Sequence, residues 1–301
     1  MQAISSKTLV DIAAKKLADG EVSAVLGWKK GLFNYDVTPA VFTDEKDLAE
    51  NFVYTDFCAA NLSKYLITET QKPEYRADDR KILVFLKPCD TYSFNQLLTE
   101  HRVHRNRVYV VAVPCNGMID LTGAPYEKCV NCKSKKAVVY DELVGENGEV
   151  IDSNRFDEVE RIEAMSAEER FAFWQNELSR CIRCNACRNV CPACTCEKCV
   201  FDNPASGLEN KAISDSFEEK MFHIIRAFHV AGRCTDCGEC SRVCPQHIPL
   251  HLLNRKLIKD MNEAYGEYQA GAVEGSRAPL VNYSENDIEP AEAVGKGGNN
   301  A

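Results

Sequence analysis

The 301-residue chain lacks the marks of several common function classes. No apolar run approaches the length of a membrane span, which excludes a spanning helix. The start, Met1-Gln2-Ala3-Ile4-Ser5-Ser6, has no signal-peptide pattern. Positive charge is in deficit: 36 Lys and Arg against 45 Asp and Glu leave a net charge of −9. That balance argues against nucleic acid and against an anionic membrane surface. No G-x-G-x-x-G follows a strand and no Walker motif is present. No nucleophile–base pair stands out, and nothing marks a substrate pocket.

Cysteine, in contrast, is abundant, with 16 in the chain. In an unexported protein of this size that number points to metal rather than disulfides. Two runs share one spacing. The first is Cys181, Cys184, Cys187 and Cys191, followed by Pro192; the second is Cys234, Cys237, Cys240 and Cys244, followed by Pro245. Each reads C-x2-C-x2-C-x3-C-P, the bacterial ferredoxin signature. A [4Fe–4S] cubane needs one thiolate per iron. Three cysteines at this spacing curl a loop round one cluster, with backbone N–H groups facing the negative sulfurs. The fourth points elsewhere, and in two-cluster ferredoxins it ligates the other cluster. Cys181, Cys184, Cys187 and Cys244 are therefore assigned to one cluster. Cys234, Cys237, Cys240 and Cys191 are assigned to the other. The competing reading is a zinc ribbon, but zinc usually takes two C-x2-C pairs and leaves no role for two phased quartets. Exposed cubanes are oxygen-labile, so an anaerobic cytoplasm is the expected home.

Length and a 45% hydrophobic content predict two domains with a real core. Leu9, Ile12, Ala13 and Leu17 ahead of Gly20 predict an amphipathic helix over 5–19. Val22–Trp28 and Ala40–Thr43 read as short strands. Residues 46–68 read as a helix with Leu48, Phe52, Leu62, Tyr65 and Leu66 inward, and 69–80 as a loop. Lys81–Lys87 and Val108–Val113 are buried strands on either side of a helix over Asp90–His101, with Phe94, Leu97 and Leu98 on one face. A strand–helix–strand unit implies parallel neighbours. Residues 1–145 are thus expected to form an α/β domain with a partly parallel sheet.

Residues 146–165 read as a linker, within an acidic, Gly-containing stretch that could also fold as an outer hairpin. Residues 166–268 are expected to form an α-helical two-cluster ferredoxin domain. Capping boxes at Ser166/Glu169 and Ser216/Glu219 open two of its helices. The first presents Phe171, Trp174 and Leu178; the second presents Phe217, Met221, Ile224, Ile225 and Phe228 and ends at Gly232. A third follows Ile248-Pro249-Leu250 to about Tyr268. Residues 269–301, poor in apolar side chains, read as a flexible tail or a partner wrap.

A third cysteine group lies in the α/β half. Two strands end alike, as Phe85-Leu86-Lys87-Pro88-Cys89 and Val111-Ala112-Val113-Pro114-Cys115. If they are parallel, Cys89 and Cys115 share the carboxyl rim of the sheet, where open α/β sheets bind ligands. Cys129 and Cys132 follow as C-x2-C, beside Lys133, Lys135 and Lys136. Cys89, Cys115, Cys129 and Cys132 are therefore candidate ligands of a third [4Fe–4S] cluster, which would bring iron to about twelve per chain rather than eight. The bland reading is two buried strand-end cysteines and a small zinc knuckle. Cys58, Cys194, Cys196 and Cys199 read as core or cluster-shell thiols. His223, His229, His247 and His251 read as hydrogen-bonding or packing groups. Arg183, Arg188, Arg233 and Arg242, interleaved with the cysteines, either tune cluster potential or are solvated.

The segments CIRCNACRNVCPACTCEKC (Cys181–Cys199) and AGRCTDCGECSRVCPQHIPL (Ala231–Leu250) resemble the helical two-cluster ferredoxin module. That module occurs in hydrogenase and sulfite-reductase iron–sulfur subunits and in partners of heterodisulfide reductase. KPCD (Lys87–Asp90), VPCNG (Val113–Gly117) and CVNC (Cys129–Cys132) resemble the beta subunit of deazaflavin-reducing hydrogenases and formate dehydrogenases. In that family such cysteines hold a cubane near an FAD. FAD is thus a further cofactor the resemblance allows, although Ala18-Asp19-Gly20-Glu21 stands where the family has an early Gly-Gly segment.

The resemblance implies an iron–sulfur subunit of an anaerobic oxidoreductase complex, associated with electron bifurcation. It would relay single electrons between a catalytic subunit (hydrogenase, formate or nicotinamide oxidising) and a flavoprotein of heterodisulfide-reductase type. The alternative is an FAD-containing catalytic beta subunit exchanging hydride with a deazaflavin or nicotinamide. A third reading is a scaffold with structural clusters. Missing nucleotide fingerprints count against the second, and three linked redox sites exceed what a scaffold needs.

Overall fold

The computed structural model describes residues 4–206 and 216–281. In the first domain Ser5 caps α1 (Ser6–Ala18) by accepting from the Thr8 N–H. The chain then forms β1 (Val22–Lys30), β2 (Val37–Phe42), α2 (Glu45–Asn51), α3 (Ser63–Glu69) and the short α4 (Pro73–Arg76). Next come β3 (Lys81–Leu86), α5 (Pro88–Thr99), β4 (Val108–Ala112), α6 (Glu127–Val130) and the two-residue β5 (Glu142–Leu143). The sheet has the order β2-β1-β3-β4-β5. In this sheet the β1–β2 hairpin is antiparallel, and β1–β3, β3–β4 and β4–β5 are parallel. Its central strands are continuous apolar runs because helices and loops cover both faces. Trp28, Phe42, Leu83, Phe85 and Phe94 are fully buried at its centre.

The helix expected over 46–68 is two helices, α2 and α3, separated by an irregular stretch. The chain leaves α2 at Phe52, which takes an extended conformation. Val53 then donates its N–H to the Trp28 carbonyl at 2.9 Å, extending the β1 edge instead of the helix. Leu48, Phe52, Leu62 and Leu66 point inward as expected, but Tyr65 is 37% exposed. The loop expected over 69–80 contains α4, started by Pro73 at its first turn.

The second region contains α7 (Asp157–Glu163), α8 (Ala167–Ser179), α9 (Ala186–Asn189), α10 (Ser216–His229), α11 (Glu239–Arg242) and α12 (Leu250–Tyr265). It is helical and carries the cysteine runs. The expected linker 146–165 contains α7, whose Val159 and Ile162 are buried against Leu252 of α12. Ser166 and Glu169 form the expected capping box, with N–H donation in both directions at 3.2 and 2.9 Å. The side chains of Ser216, Phe217 and Glu219 lie outside those described.

The inward face of α10 differs from expectation. Met221, Ile224 and Phe228 are 40%, 38% and 64% exposed, while Phe222, His223, Arg226 and Ala227 are buried. The helix turns its polar His and Arg toward the cysteine loops, which offer thiols and carbonyls rather than an apolar wall.

Residues 269–281 pack back on the first domain. Asn95 of α5 donates to the Gly271 carbonyl at 3.0 Å. Gly271 has φ +74°, and a Cβ there would lie 1.9 Å from the Tyr92 carbonyl oxygen. The rest of the expected tail, 282–301, lies outside the described residues. The polar side chains Thr91, Ser93, Asn95 and Gln96 of α5 are buried; Ser93 meets Thr235 of the second domain at 2.9 Å, and Asn95 meets this segment. Among the described residues no helix is long and apolar enough to cross a membrane.

Candidate metal centres

The parallel β3–β4 register, with Leu86 opposite Ala112, brings both strand ends to one rim. Cys89 enters the first turn of α5, and Cys115 follows β4 two residues past Val113. Cys129 sits on α6 and Cys132 just beyond it. These four thiols are close enough to influence one another: Cys132 bears on Cys89, and Cys129 and Cys115 bear on Cys132. Burial is the main cause that raises the pKa of Cys89, Cys115 and Cys132 as free thiols.

Opposing that burial are cations and backbone donors. Lys87 and Lys128 face Cys89, and Lys135 faces Cys115 and Cys132. The Met118 N–H donates to Cys129 Sγ at 3.3 Å. Backbone N–H groups of Gly117 and Ser134 do the same for Cys115 and Cys132. Lys133, read from the sequence as a local cation, instead pairs with Glu267 at 2.7 Å.

The C-x2-C-x2-C loops lie across α10. Cys181, Cys184, Cys187 and Cys244 line one narrow cavity together with Phe222, His223 and Ile248. The Arg183 N–H donates to Cys181 Sγ, and His223 Nε2 lies 3.3 Å from the same sulfur. Burial is the main reason His223 drops to about 3, so it stays neutral near pH 7. Cys191 lies beside Cys234, Cys237 and Cys240 and also bears on Cys187 of its own run. Burial pushes the Cys240 thiol up to about 11, and Asn254 Nδ2 stands 3.6 Å from its sulfur.

Arg226, 4% exposed, lies between the two groups. It faces Cys187, Cys191 and Cys240 and donates Nη2 to the Cys187 carbonyl at 3.1 Å. The sequence reading passed over Arg226, because nothing about one Arg inside an amphipathic helix marks it as inward. It also passed over the structural part played by Lys87, Lys128 and Glu239.

The interleaved arginines all have partners. Arg183 lies over the Phe222 ring at 4.3 Å, and Arg188 pairs with Asp202 at 2.7 Å. Arg233 clamps Glu100 at 2.5 and 2.8 Å, and Arg242 pairs with Glu239 at 2.7 Å. His251 bonds Ser241 through Nδ1 at 2.8 Å. Of the remaining cysteines, Cys58 is core and accepts from the Thr55 N–H at 3.3 Å. Cys194 donates to Cys191, holding the latter's pKa low, while Cys194, Cys196 and Cys199 line a cleft with Lys64, Arg226 and Arg233.

The donor chemistry fits iron–sulfur clusters: soft thiols in fours, offset by buried cations and N–H groups. Among the described residues, no three His, Cys, Asp or Glu side chains draw together to hold a single ion. A cubane instead spreads its four thiolates over four irons.

Residues 177–248 match the family model described as a 4Fe-4S dicluster domain. That match and the cysteine content support iron–sulfur clusters in this part of the chain. The chain is also homologous, at 23% identity, to the beta subunit of the F420-dependent formate dehydrogenase of Methanocaldococcus jannaschii, across 89% of this chain and 91% of that one. A second relative is subunit beta of the F420-dependent formate dehydrogenase 1 of Methanococcus maripaludis, 30% identical over 34% of this chain and 25% of its own length. Among solved structures, a chain of the F420-reducing [NiFe] hydrogenase complex from Methanosarcina barkeri aligns at 14% identity with a TM-score of 0.30. That alignment covers 38% of this chain and 39% of the other.

Proposed function

We propose that this chain is the electron-relay subunit of an anaerobic, cytoplasmic oxidoreductase complex. It would pass single electrons between a hydrogenase-, formate- or nicotinamide-oxidising subunit and a flavoprotein of heterodisulfide-reductase type, as in electron bifurcation. Cys181, Cys184, Cys187 and Cys244 would hold one [4Fe–4S] cluster; Cys234, Cys237, Cys240 and Cys191 a second; Cys89, Cys115, Cys129 and Cys132 a third. Bound clusters supply one-electron exchange at thiolate-held iron. The chain's own residues exclude water, donate N–H groups to sulfur and place Arg226, Lys87, Lys128 and Lys135 against the negative charge.

The observation that carries this reading is the adjacency of the three thiol groups. Cys191 neighbours cysteines of both runs, and the loop bearing Cys129 abuts the loop bearing Cys237 and Cys240 through Lys128 and Glu239. Anaerobic purification with identification of the co-purifying subunits tests it. Expected are about twelve irons per chain, a flavoprotein partner, and clusters that dithionite reduces and the partner re-oxidises. About eight irons would refute the third cluster, and the absence of any redox partner would refute the relay.

A second reading draws on the relatives' names. Both are named as beta subunits of F420-dependent formate dehydrogenases, so the chain could be an FAD-containing beta subunit that exchanges hydride with a deazaflavin or a nicotinamide. Extractable flavin in the purified chain would favour it; iron–sulfur absorption without flavin would refute it.

A further inference from the structure

The rim loop and the second cysteine run meet through one buried ion pair. Glu239, fully buried, lies between Cys237 and Cys240; Lys128, 8% exposed, directly precedes Cys129. Their side chains form a close salt bridge across 111 residues of sequence. Lys128 Nζ also donates to the Ala59 carbonyl at 2.9 Å. Glu239 accepts from the Asn61 N–H at 3.2 Å and from Arg242 at 2.7 and 2.8 Å. Gly238, at φ +65°, lets the backbones approach: a Cβ there would lie 2.3 Å from Lys128 Cβ.

Apolar side chains of similar volume would hold this contact at least as well, because desolvating two charges consumes much of their attraction. The charges are also placed unevenly. The Lys128 ammonium faces Cys89 and Cys129 and bears more weakly on Cys237, for which the Glu239 carboxylate, itself shared with Arg242, is the stronger influence. Cluster potential depends on net charge, burial and hydrogen bonds to sulfur. A fixed cation beside a cluster favours its reduced, more negative state, and a fixed anion disfavours it.

We propose that Lys128 and Glu239 are positioning residues that set the relative potentials of the two neighbouring clusters, raising that of the rim quartet and lowering that of Cys234, Cys237, Cys240 and Cys191. The inference rests on the relay reading above. An electron crossing between the quartets oxidises one cluster and reduces the other, with no bond broken and no proton moved. The pair therefore biases a shared electron toward the rim.

The test is an EPR-monitored redox titration of the full chain, purified anaerobically, as wild type, K128M, K128R and E239Q, with iron counted in each. K128M lowers the rim potential most and E239Q raises the other most, so both narrow the gap. The expected change is about tenfold in the oxidised-to-reduced ratio at the nearer cluster, or about 59 mV for one electron. K128R, which keeps the charge, stays near wild type. Unshifted potentials in K128M with full iron, or a K128R shift equal to that of K128M, overturn the inference alone. A wild-type chain without a rim-cluster signal refutes the third cluster of the relay reading, on which the inference rests. If E239Q fails to fold, the K128M and K128R comparison still decides.

Discussion

Replacing Lys87 by Met should destabilise the α/β domain more than its single-residue change suggests. Lys87 ends the β3 run immediately before Pro88 and Cys89 and is 1% exposed. Its Nζ pairs with fully buried Asp90 at 2.8 Å, donates to the Ala60 carbonyl at 2.8 Å and lies 4.6 Å from the centre of the Trp28 ring. Met nearly matches the stem in length and tolerates an aromatic neighbour. The loss is therefore chiefly one of charge. With Cys89 a thiolate ligand that cannot donate, Asp90 would keep the Lys87 N–H at 3.4 Å. Breaking a buried pair from one side costs about 3–5 kcal/mol. At a urea m-value of about 2 kcal/mol/M, the midpoint falls by about 2 M. Trp28 fluorescence reports the transition directly, since the indole sits under the missing cation. K87M/D90N should recover most of the loss, because the unpaired carboxylate is gone. A K87M loss below about 1 kcal/mol, or no recovery in the double variant, would refute the reasoning.

Three further outcomes follow. C191S should disturb the EPR signal that C237S disturbs, and C244S the signal that C184S disturbs; each affecting its own run instead would refute the crossed ligation. Gly238→Ala must place a Cβ 2.3 Å from Lys128 at a positive φ, so it should cost more than about 1 kcal/mol and speed hydrogen exchange over 126–130. Anaerobic iron removal should expose 181–244 to protease while 81–112 stays protected. The apolar core around the cysteine runs is small, built on Leu178, Phe222, Ile248 and Leu250, whereas the sheet has its own large core. Equal cleavage of both regions would count against this.

The sequence by itself determined the features that local spacing encodes. The cysteine phasing marked an iron–sulfur protein, because a loop of fixed pitch must present thiols at fixed intervals. Continuous apolar runs at 81–87 and 108–113 marked buried parallel strands, and their matching Pro-Cys ends then pointed to one rim. The Ser166/Glu169 capping box was legible because both partners lie within one turn. Where expectation and structure part, long-range neighbours decide. Periodicity offered Met221, Ile224 and Phe228 as the inner face of α10, yet the helix faces a wall of thiols and carbonyls, which rewards His223 and Arg226. Helical pattern over 46–68 was overruled by the Val53 hydrogen bond to the β1 edge. The burial of polar α5 residues and of the Lys128–Glu239 pair depends on one domain covering the other. Only tertiary structure brings together groups more than a hundred residues apart, and only there does desolvation force them to pair.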